Sequence, residues 1–293
     1  DTDDVFAARR SGESLEMRYL DMEGGGTLLI PCSVAHIKGG PNAAAAELEG
    51  DKAFAKQLMH DSGVPTAEFR YFEPTTQEVA QSRQPSHDRD EMGPRELLTG
   101  YEMAREYVST RVEGVVIKAC GLAKGKGVFV HPDPADALLT LEELMINRRL
   151  GVAGERVVIE ELLTGPEVSA LAVVDGNNLY VLESAADHKR LLDGDEGPNT
   201  GGMGAFCPAD ALSEADLSII EKDVFVPVID ALRRDGVVYR GVLYAGIMLT
   251  TGGPKVLEFN CRFGDPETQP MLMRLESDLV DVIEATLAGR LDM

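Results

Sequence analysis

The chain contains no tryptophan, and phenylalanine with tyrosine brings the aromatic share to only 5%. Stacking platforms for single-stranded nucleic acid are therefore poorly supplied. Positive charge is also scarce. Lys and Arg number 28 against 50 Asp and Glu, a formal net charge of −22. Such a surface opposes nonspecific attraction to nucleic acid and to anionic membranes, and no partner of either kind is expected. Cysteines are few, at 32, 120, 207 and 261. They lack the paired spacing of a zinc site and are too sparse for a disulfide framework, so a reducing cytoplasm is the expected compartment. No apolar run reaches transmembrane length, and no secretory leader is evident at Asp1.

The 293 residues are 44% hydrophobic, enough for one large or two modest domains. In so acidic a chain, an anionic ligand must be met by locally concentrated Lys, Arg and backbone N–H groups. From Asn42 the pattern is helical, with Phe54, Leu58 and Met59 on one side, and it ends at Gly63 before Pro65. Residues 75–96 read as a polar, exposed excursion. Strands are predicted at 115–118, 128–131, 156–162, 168–174, 179–184, 241–249 and 255–260. Asp175 to Asn178 is a hairpin signal between two of them. Asp133-Pro134 opens one helix. Ser213 with Asp216 opens another, whose stripe is Leu217, Ile220, Val224, Val228 and Leu232. A last helix after Pro266 is expected to bury Leu272, Leu275, Leu279 and Ile283, and 185–209 reads as a functional loop. Strands and helices intermix with tight hairpins, which predicts an α+β (mixed α/β) fold rather than a fully parallel sheet.

Four stretches carry the chemistry. ACGLAKGKGV (119–128) combines Gly121, Gly125 and Gly127 with Lys124 and Lys126, just after Lys118. It suits a flap over phosphates and equally a hairpin turn with solvated lysines; its spacing is not that of a Walker A loop. VVIEELLTGPEVS (157–169) places Glu160 and Glu161 at a strand end, where composition alone reads plain surface acids. Asp187, His188, Lys189 and Arg190 precede the glycine-rich GPNTGGMGAF and could hold a phosphate and a carboxylate; His188 reads as structural. Finally, LEFNCRFGDPETQ (257–269) sets Glu258 and Asn260 two apart on one strand, hence on one face. Carboxylate and amide oxygens are ligands that hard Mg²⁺ accepts. Arg262 continues the alternation with a planar fork for phosphate oxygens, and Asp265 reads as the cap of the next helix.

Taken in order, AELEGDKAFAKQLM, GVPTAEF, VVIKACGLAKGKGV, VVIEELLTGPEVS, DHKRLLDGDEGPNTGGMGAFCPA and GVLYAGIMLTTGGPKVLEFNCRFGDPETQ resemble the glycinamide ribonucleotide synthetase family of the ATP-grasp superfamily, over most of residues 40–290. The resemblance implies two α+β subdomains clasping ATP between antiparallel sheets: 41–66 with 184–293 as the main subdomain, 67–183 as the lid. Residues 1–40 are then a partial or atypical N-terminal segment. It implies phosphate contacts from Lys52 and Lys118, and a lid made of Gly121, Lys124, Gly125, Lys126 and Gly127. It implies adenine reading around Glu160, Glu161 and Leu163, ribose near Glu167, and Mg²⁺ (or Mn²⁺) on Glu258 and Asn260. Asp187, Lys189, Asn199, Thr200, Arg262 and Asp265 are implied as the lining where glycine and 5-phosphoribosylamine meet, with Lys189, Arg262 and Asp265 serving the chemistry. The implied activity is ATP-dependent amide formation through glycyl phosphate. The implied molecule is a monomer, or one completed by a complementing domain. Against the family pattern, about fifty residues precede the ELEG-K block where the family has a whole nucleotide-fold-like domain, and Gly246 stands where some other ATP-grasp branches place a further acid. The alternatives are an ATP-binding module needing a partner, or another carboxylate–amine ligase.

Overall fold

A computed structural model of the chain describes residues 41–73, 98–121, 127–194, 196–200 and 202–291, with the backbone of three strands upstream. The excursion expected at 75–96 lies outside the described residues. The upstream strands, β1 (Phe6–Ser11), β2 (Ser14–Tyr19) and β3 (Thr27–Ile30), pair antiparallel in that order. The single helix expected after Asn42 is two, α1 (Ala43–Gly50) and α2 (Lys52–Asp61). Asn42 Oδ1 accepts from Ala45 N–H at the first start. Asp51 Oδ1 accepts from Ala53 and Phe54 N–H at 2.9 and 3.1 Å, so it caps a second start where one continuous helix was expected.

Two compact units are distinguished, one of Gly50–Gln57 and Thr66–Thr164, the other of Asp1–Glu49, Leu58–Pro65 and Gly165–Met293. The sequence grouped 67–183 together. Here the division falls at Thr164, because the strand after it pairs with the distant strand at 241–250.

The unit ending at Thr164 holds β4 (Phe69–Phe72), β5 (Val115–Ala119), β6 (Val128–His131) and β7 (Val157–Glu161), ordered β4-β7-β5-β6 and antiparallel throughout. Alternation sends Phe72, Val115, Ile117, Val157 and Ile159 to one face. There they pack with Tyr101, Ala104 and Val108 of α3 (Leu98–Ser109) and with Ala137 and Leu141 of α4 (Pro134–Leu141). Ile117, Leu141 and Ile159 are fully buried, each contributing roughly 2–3 kcal/mol. Asp133 caps α4 through Ala135 N–H at 2.8 Å, as its Asp-Pro start predicts. The same alternation leaves Val116, Lys118, Val158 and Glu160 on the opposite face.

The other unit is built on β8 (Glu167–Val174), β9 (Leu179–Val181), β14 (Gly241–Thr250) and β15 (Gly253–Asn260), ordered β15-β14-β8-β9. The β8–β9 turn forms as predicted, with Asp175 Oδ1 accepting from Asn177 and Asn178 N–H. Within 185–209, expected to be aperiodic, β10 (Ala186–Asp187) pairs with β13 (Ala205–Phe206), and β11 (Arg190–Leu192) with β12 (Glu196–Asn199). The Ser213–Asp216 capping box opens α5 (Glu214–Ile220), which runs through a wider turn at Glu221–Phe225 into α6 (Val226–Arg234). Ile220, Val224, Val228 and Leu232 are buried as expected, whereas Leu217, in the first turn, is only half-buried. The final helix is instead two, α7 (Thr268–Arg274) and α8 (Leu279–Ala288), because Leu275 turns extended and Asp278 caps a new start. Its four leucine and isoleucine positions are accordingly half-buried, not buried.

Gly165 has φ +148°, and a Cβ there would stand 2.1 Å from the carbonyl oxygen of Leu249. Gly63 also has positive φ, +71°, but nothing lies within 4 Å of a Cβ. Gly165→Ala is therefore expected to cost more than about 3 kcal/mol in urea unfolding, and Gly63→Ala about 1 kcal/mol. Equal costs would mean that the Leu249 contact relaxes freely.

Candidate functional site

In the unit ending at Thr164, the Lys118 side of the sheet carries a buried charge cluster. Glu160 is 2% exposed and lies between two ammonium groups, Lys118 Nζ at 2.9 Å from Oε1 and Lys56 Nζ at 3.1 Å from Oε2. Lys56 also donates to Thr66 Oγ1 at 2.6 Å and sits over the Phe69 ring. A buried carboxylate left unpaired would cost several kcal/mol, so two cations on one anion give the cluster a reason to be there. Burial, and secondarily the Lys118 charge, lowers the Lys56 pKa to about 8, although Glu160 opposes this. Glu161 turns the other way, and its Oε1 accepts from Glu68 N–H at 2.9 Å. Leu163 lies just beyond β7, half-buried and outside regular structure.

Sequence reasoning singled out Lys52, Lys118 and Glu160 but missed Lys56. Lys52 and Lys56 lie one turn apart on α2, and only the neighbours of each decide which one is buried. Lys52 is half-buried, and its N–H donates to Cys120 O at 3.3 Å. Gly121 N–H donates to Ala153 O, and a Cβ at Gly121 would lie 2.8 Å from Ala153 Cα. Gly121 is thus needed for backbone contact with the 151–154 turn, whatever else the loop does. Gly127 is buried, and its carbonyl closes the β5–β6 ladder on Ala119 N–H. Lys124, Gly125 and Lys126 lie outside the described residues.

The unit beginning at Gly165 gathers the second constellation on one sheet face. Phe259 is buried, so Glu258 and Asn260 on either side of it share the other face, opposite Gly246 and Tyr244. Ser169 of β8 lies across from Gly246. Lys189 pairs with Glu167 and stands 3.8 Å from Asp187 Oδ1. Burial alone would lower the Lys189 pKa, but Glu167, Asp187 and Glu258 together hold it raised. Burial raises the Asp187 carboxyl above its ordinary range; Lys189 opposes this, while Glu267 and Glu167 reinforce it. Thr200 brackets the lysine's backbone, with both its N–H and its hydroxyl donating to Lys189 O, at 2.7 and 2.9 Å. Asn199 pairs with Arg190 through the backbone; its side chain lies outside the described residues.

At the exit of β15, Arg262 Nε donates to Glu49 Oε1 at 3.0 Å and Nη2 to Asn260 Oδ1 at 3.3 Å. The other oxygen of Glu49 accepts from Cys261 N–H at 2.8 Å. Further along, Glu267 is 3% exposed, and its Oε1 accepts from Tyr244 at 2.6 Å and Ser169 at 3.2 Å. The sequence pointed to no role for Glu49, and Glu267 read only as one of the polar residues crowded into 257–269. Asp265 was expected to cap the next helix. Instead α7 begins at Thr268, and Asp265 Oδ1 accepts from the Gln269 side chain at 2.8 Å. Glu167, expected near a ribose, is the ion-pair partner of Lys189. Among the described residues no group of three or more His, Cys, Asp or Glu side chains is disposed to hold a metal ion.

Because the Lys56 pKa falls from 10.5 to about 8 on folding, the unfolded chain binds more protons between those values. Stability linked to this group should therefore rise with pH from about 8 to 10.5. Across that window the difference in urea-unfolding free energy between wild type and Lys56→Met should grow in favour of wild type, since the other titrating groups are common to both curves. Parallel pH curves would overturn the assignment.

Residues 94–268 match the family described as phosphoribosylglycinamide synthetase, ATP-grasp (A) domain. A phosphoribosylamine–glycine ligase of Rhodopirellula baltica is 46% identical over 253 residues, 86% of this chain and 53% of that protein. The trifunctional purine biosynthetic protein adenosine-3 of Homo sapiens is 47% identical over 86% of this chain and 22% of its own length. The chain thus spans about half the length, or less, of these curated relatives. Among solved structures, the phosphoribosylamine–glycine ligase of Thermotoga maritima aligns with a TM-score of 0.71 at 34% identity, covering 85% of this chain and 57% of that one. D-alanyl-alanine synthetase A of Vibrio cholerae, at 13% identity and a TM-score of 0.58, shares the fold. The expected α+β ATP-grasp architecture is borne out, with antiparallel sheets in both units. With the match running over more than half of its length, the chain belongs to the phosphoribosylglycinamide synthetase ATP-grasp domain family.

Proposed function

We propose that this chain performs the ATP-dependent joining of glycine to 5-phosphoribosylamine, giving glycinamide ribonucleotide, ADP and phosphate, a step of purine biosynthesis. The observation that carries the reading is the grouping of Asp187, Lys189, Glu258, Asn260 and Arg262 in one unit of a chain with this family membership. Glycine's carboxylate is a poor electrophile, because its carbon faces delocalised negative charge and has no good leaving group. Transfer of the γ-phosphoryl breaks the bond to ADP and forms glycyl phosphate. The amine of phosphoribosylamine then attacks the acyl carbon, phosphate leaves, and the amine gives up a proton as the amide forms.

Phosphoryl transfer needs positioning and charge neutralisation more than a side-chain nucleophile. Lys118 and Lys52 are assigned to phosphate oxygens. Glu160, Glu161 and Leu163 are assigned to the adenine, with Glu160 held in place by Lys56. Lys189 and Arg262 are assigned to the carboxylate and the phosphoryl group being moved. Glu258 and Asn260 present one carboxylate and one amide oxygen on a common strand face, a hard-oxygen set that fits Mg²⁺. With no third acid grouped beside them among the described residues, phosphate oxygens and water would complete the shell. The ion would neutralise charge on the phosphate oxygens. Lys124, Gly125 and Lys126 keep their assignment as cover.

Incubation with Mg-ATP, glycine and freshly made phosphoribosylamine should release ADP and phosphate in equal amounts, dependent on both co-substrates. A folded sample that shows no such dependence would refute the ligase reading. The share of the relatives' length that is matched favours one further reading, in which ligation also needs sequence beyond these 293 residues. Mg-ATP binding without turnover, restored by a complementing domain, would select it. Glu258→Gln should lower Mg-dependent turnover at least about 100-fold while the melting temperature moves by less than about 4 °C. A melting temperature that collapses along with activity would make Glu258 a folding residue instead.

A further inference from the structure

From the exit of β15 we infer that Glu49 is the positioning residue that fixes Arg262 and, through it, the amide of Asn260. The inference rests on the ligase reading above, since it assigns a role relative to the Mg-nucleotide that reading requires. Both oxygens of Glu49 are committed to one short turn: Oε2 takes Cys261 N–H at 2.8 Å and Oε1 takes Arg262 Nε at 3.0 Å. Two contacts from one planar carboxylate, one to backbone and one to guanidinium, set the direction and the plane of the Arg262 fork. That plane then presents Nη2 to Asn260 Oδ1 at 3.3 Å and Nη1 to Phe263 O at 3.2 Å. An amide can turn its oxygen either way. A donor held at Asn260 Oδ1 favours the orientation in which the oxygen, not the NH₂, lies toward the charged end of the strand.

The turn is gripped at its far end as well. Gly264 leaves room for Glu267, whose Oε2 would stand 2.4 Å from a Cβ there, while Oε1 is held by Tyr244 and Ser169. The Cys261–Glu267 segment therefore runs between two carboxylates, Glu49 at its start and Glu267 at its close. Of the two, Glu49 is the one hydrogen-bonded to a described residue assigned to the ligand, Arg262. It lies about 210 positions from Arg262 in the chain, at the end of α1. Glutamine cannot replace it, because its NH₂ would face one of two donors that both need an acceptor.

The test is a double-mutant cycle on nucleotide affinity, read by titration of Mg-ATP into wild type, Glu49→Gln, Arg262→Gln and the double variant, with and without Mg²⁺. Glu49→Gln should weaken Mg-ATP about 10-fold, and the double variant should bind no more weakly than Arg262→Gln alone. Losses that multiply in the double variant would overturn the inference and leave the ligase reading intact. A wild-type chain that binds no Mg-ATP would overturn both. Thermal melts accompany each protein. If Glu49→Gln does not fold, Glu49→Asp, which keeps the charge one methylene short, carries the same cycle.

Discussion

Glu160 has almost no contact with water, and a carboxylate in that position persists only where cations replace the solvent it has lost. Lys56 and Lys118 do so from two directions, at 3.1 and 2.9 Å. Lys189 in the other unit is a milder case with the sign reversed: its side chain is one third exposed, and its ammonium is kept charged by Glu167, Asp187 and Glu258. Charge compensation at low exposure is worth more per contact than a surface ion pair, and it fails more sharply when one partner is removed. The Glu160 cluster lies on the sheet face opposite the Ile117–Ile159 core, whereas in the other unit Glu258 and Asn260 share their face with the apolar cluster of Leu171, Tyr244 and Met271. In the first unit the alternation that builds the core therefore also decides where the charges collect.

Much of this was legible in the sequence wherever the physics is local. The β8–β9 turn, the Asp133 cap and the Ser213–Asp216 box depend on residues within four positions of one another, and each formed as read. Helix continuity was misread twice. Asp51 and Asp278 each cap a fresh start inside a run whose apolar spacing suggested a single helix. A carboxylate in a helical run looks like an exposed face residue until its side chain is seen to accept from the backbone ahead of it.

The residues missed at the site share one property, distance along the chain. Lys56 lies about 100 positions from Glu160, and Glu49 about 210 from Arg262. No periodicity links such pairs. The available signal was weaker and chemical: Glu49 and Lys56 share one short block, AELEGDKAFAK, with Lys52. The linkage between Tyr244, Ser169 and Glu267 was illegible for the same reason, since three separate elements supply its members.

The pairing of Glu258 with Asn260 shows how a correct reading can rest on an incomplete reason. A spacing of two fixes that both side chains share a face, but not which face. Val256 is buried opposite Ile247, and strict alternation from there would send Glu258 inward, opposite the buried Ala245. The ladder instead slips between Gly246 and Ile247, so that Leu257 is the extra residue and Glu258 falls opposite Gly246. That one-residue bulge resets the phase of the strand. Phe259 takes the inward position beside Ala245, and the carboxylate and the amide both emerge on the face that holds Ser169 and Tyr244. Without the slip the strand would have to bury a carboxylate against apolar neighbours at a cost of several kcal/mol. The oxygen pair of β15 thus depends on a ladder defect as much as on the sequence spacing, and the turn that Glu49 and Glu267 hold begins where that reset strand ends.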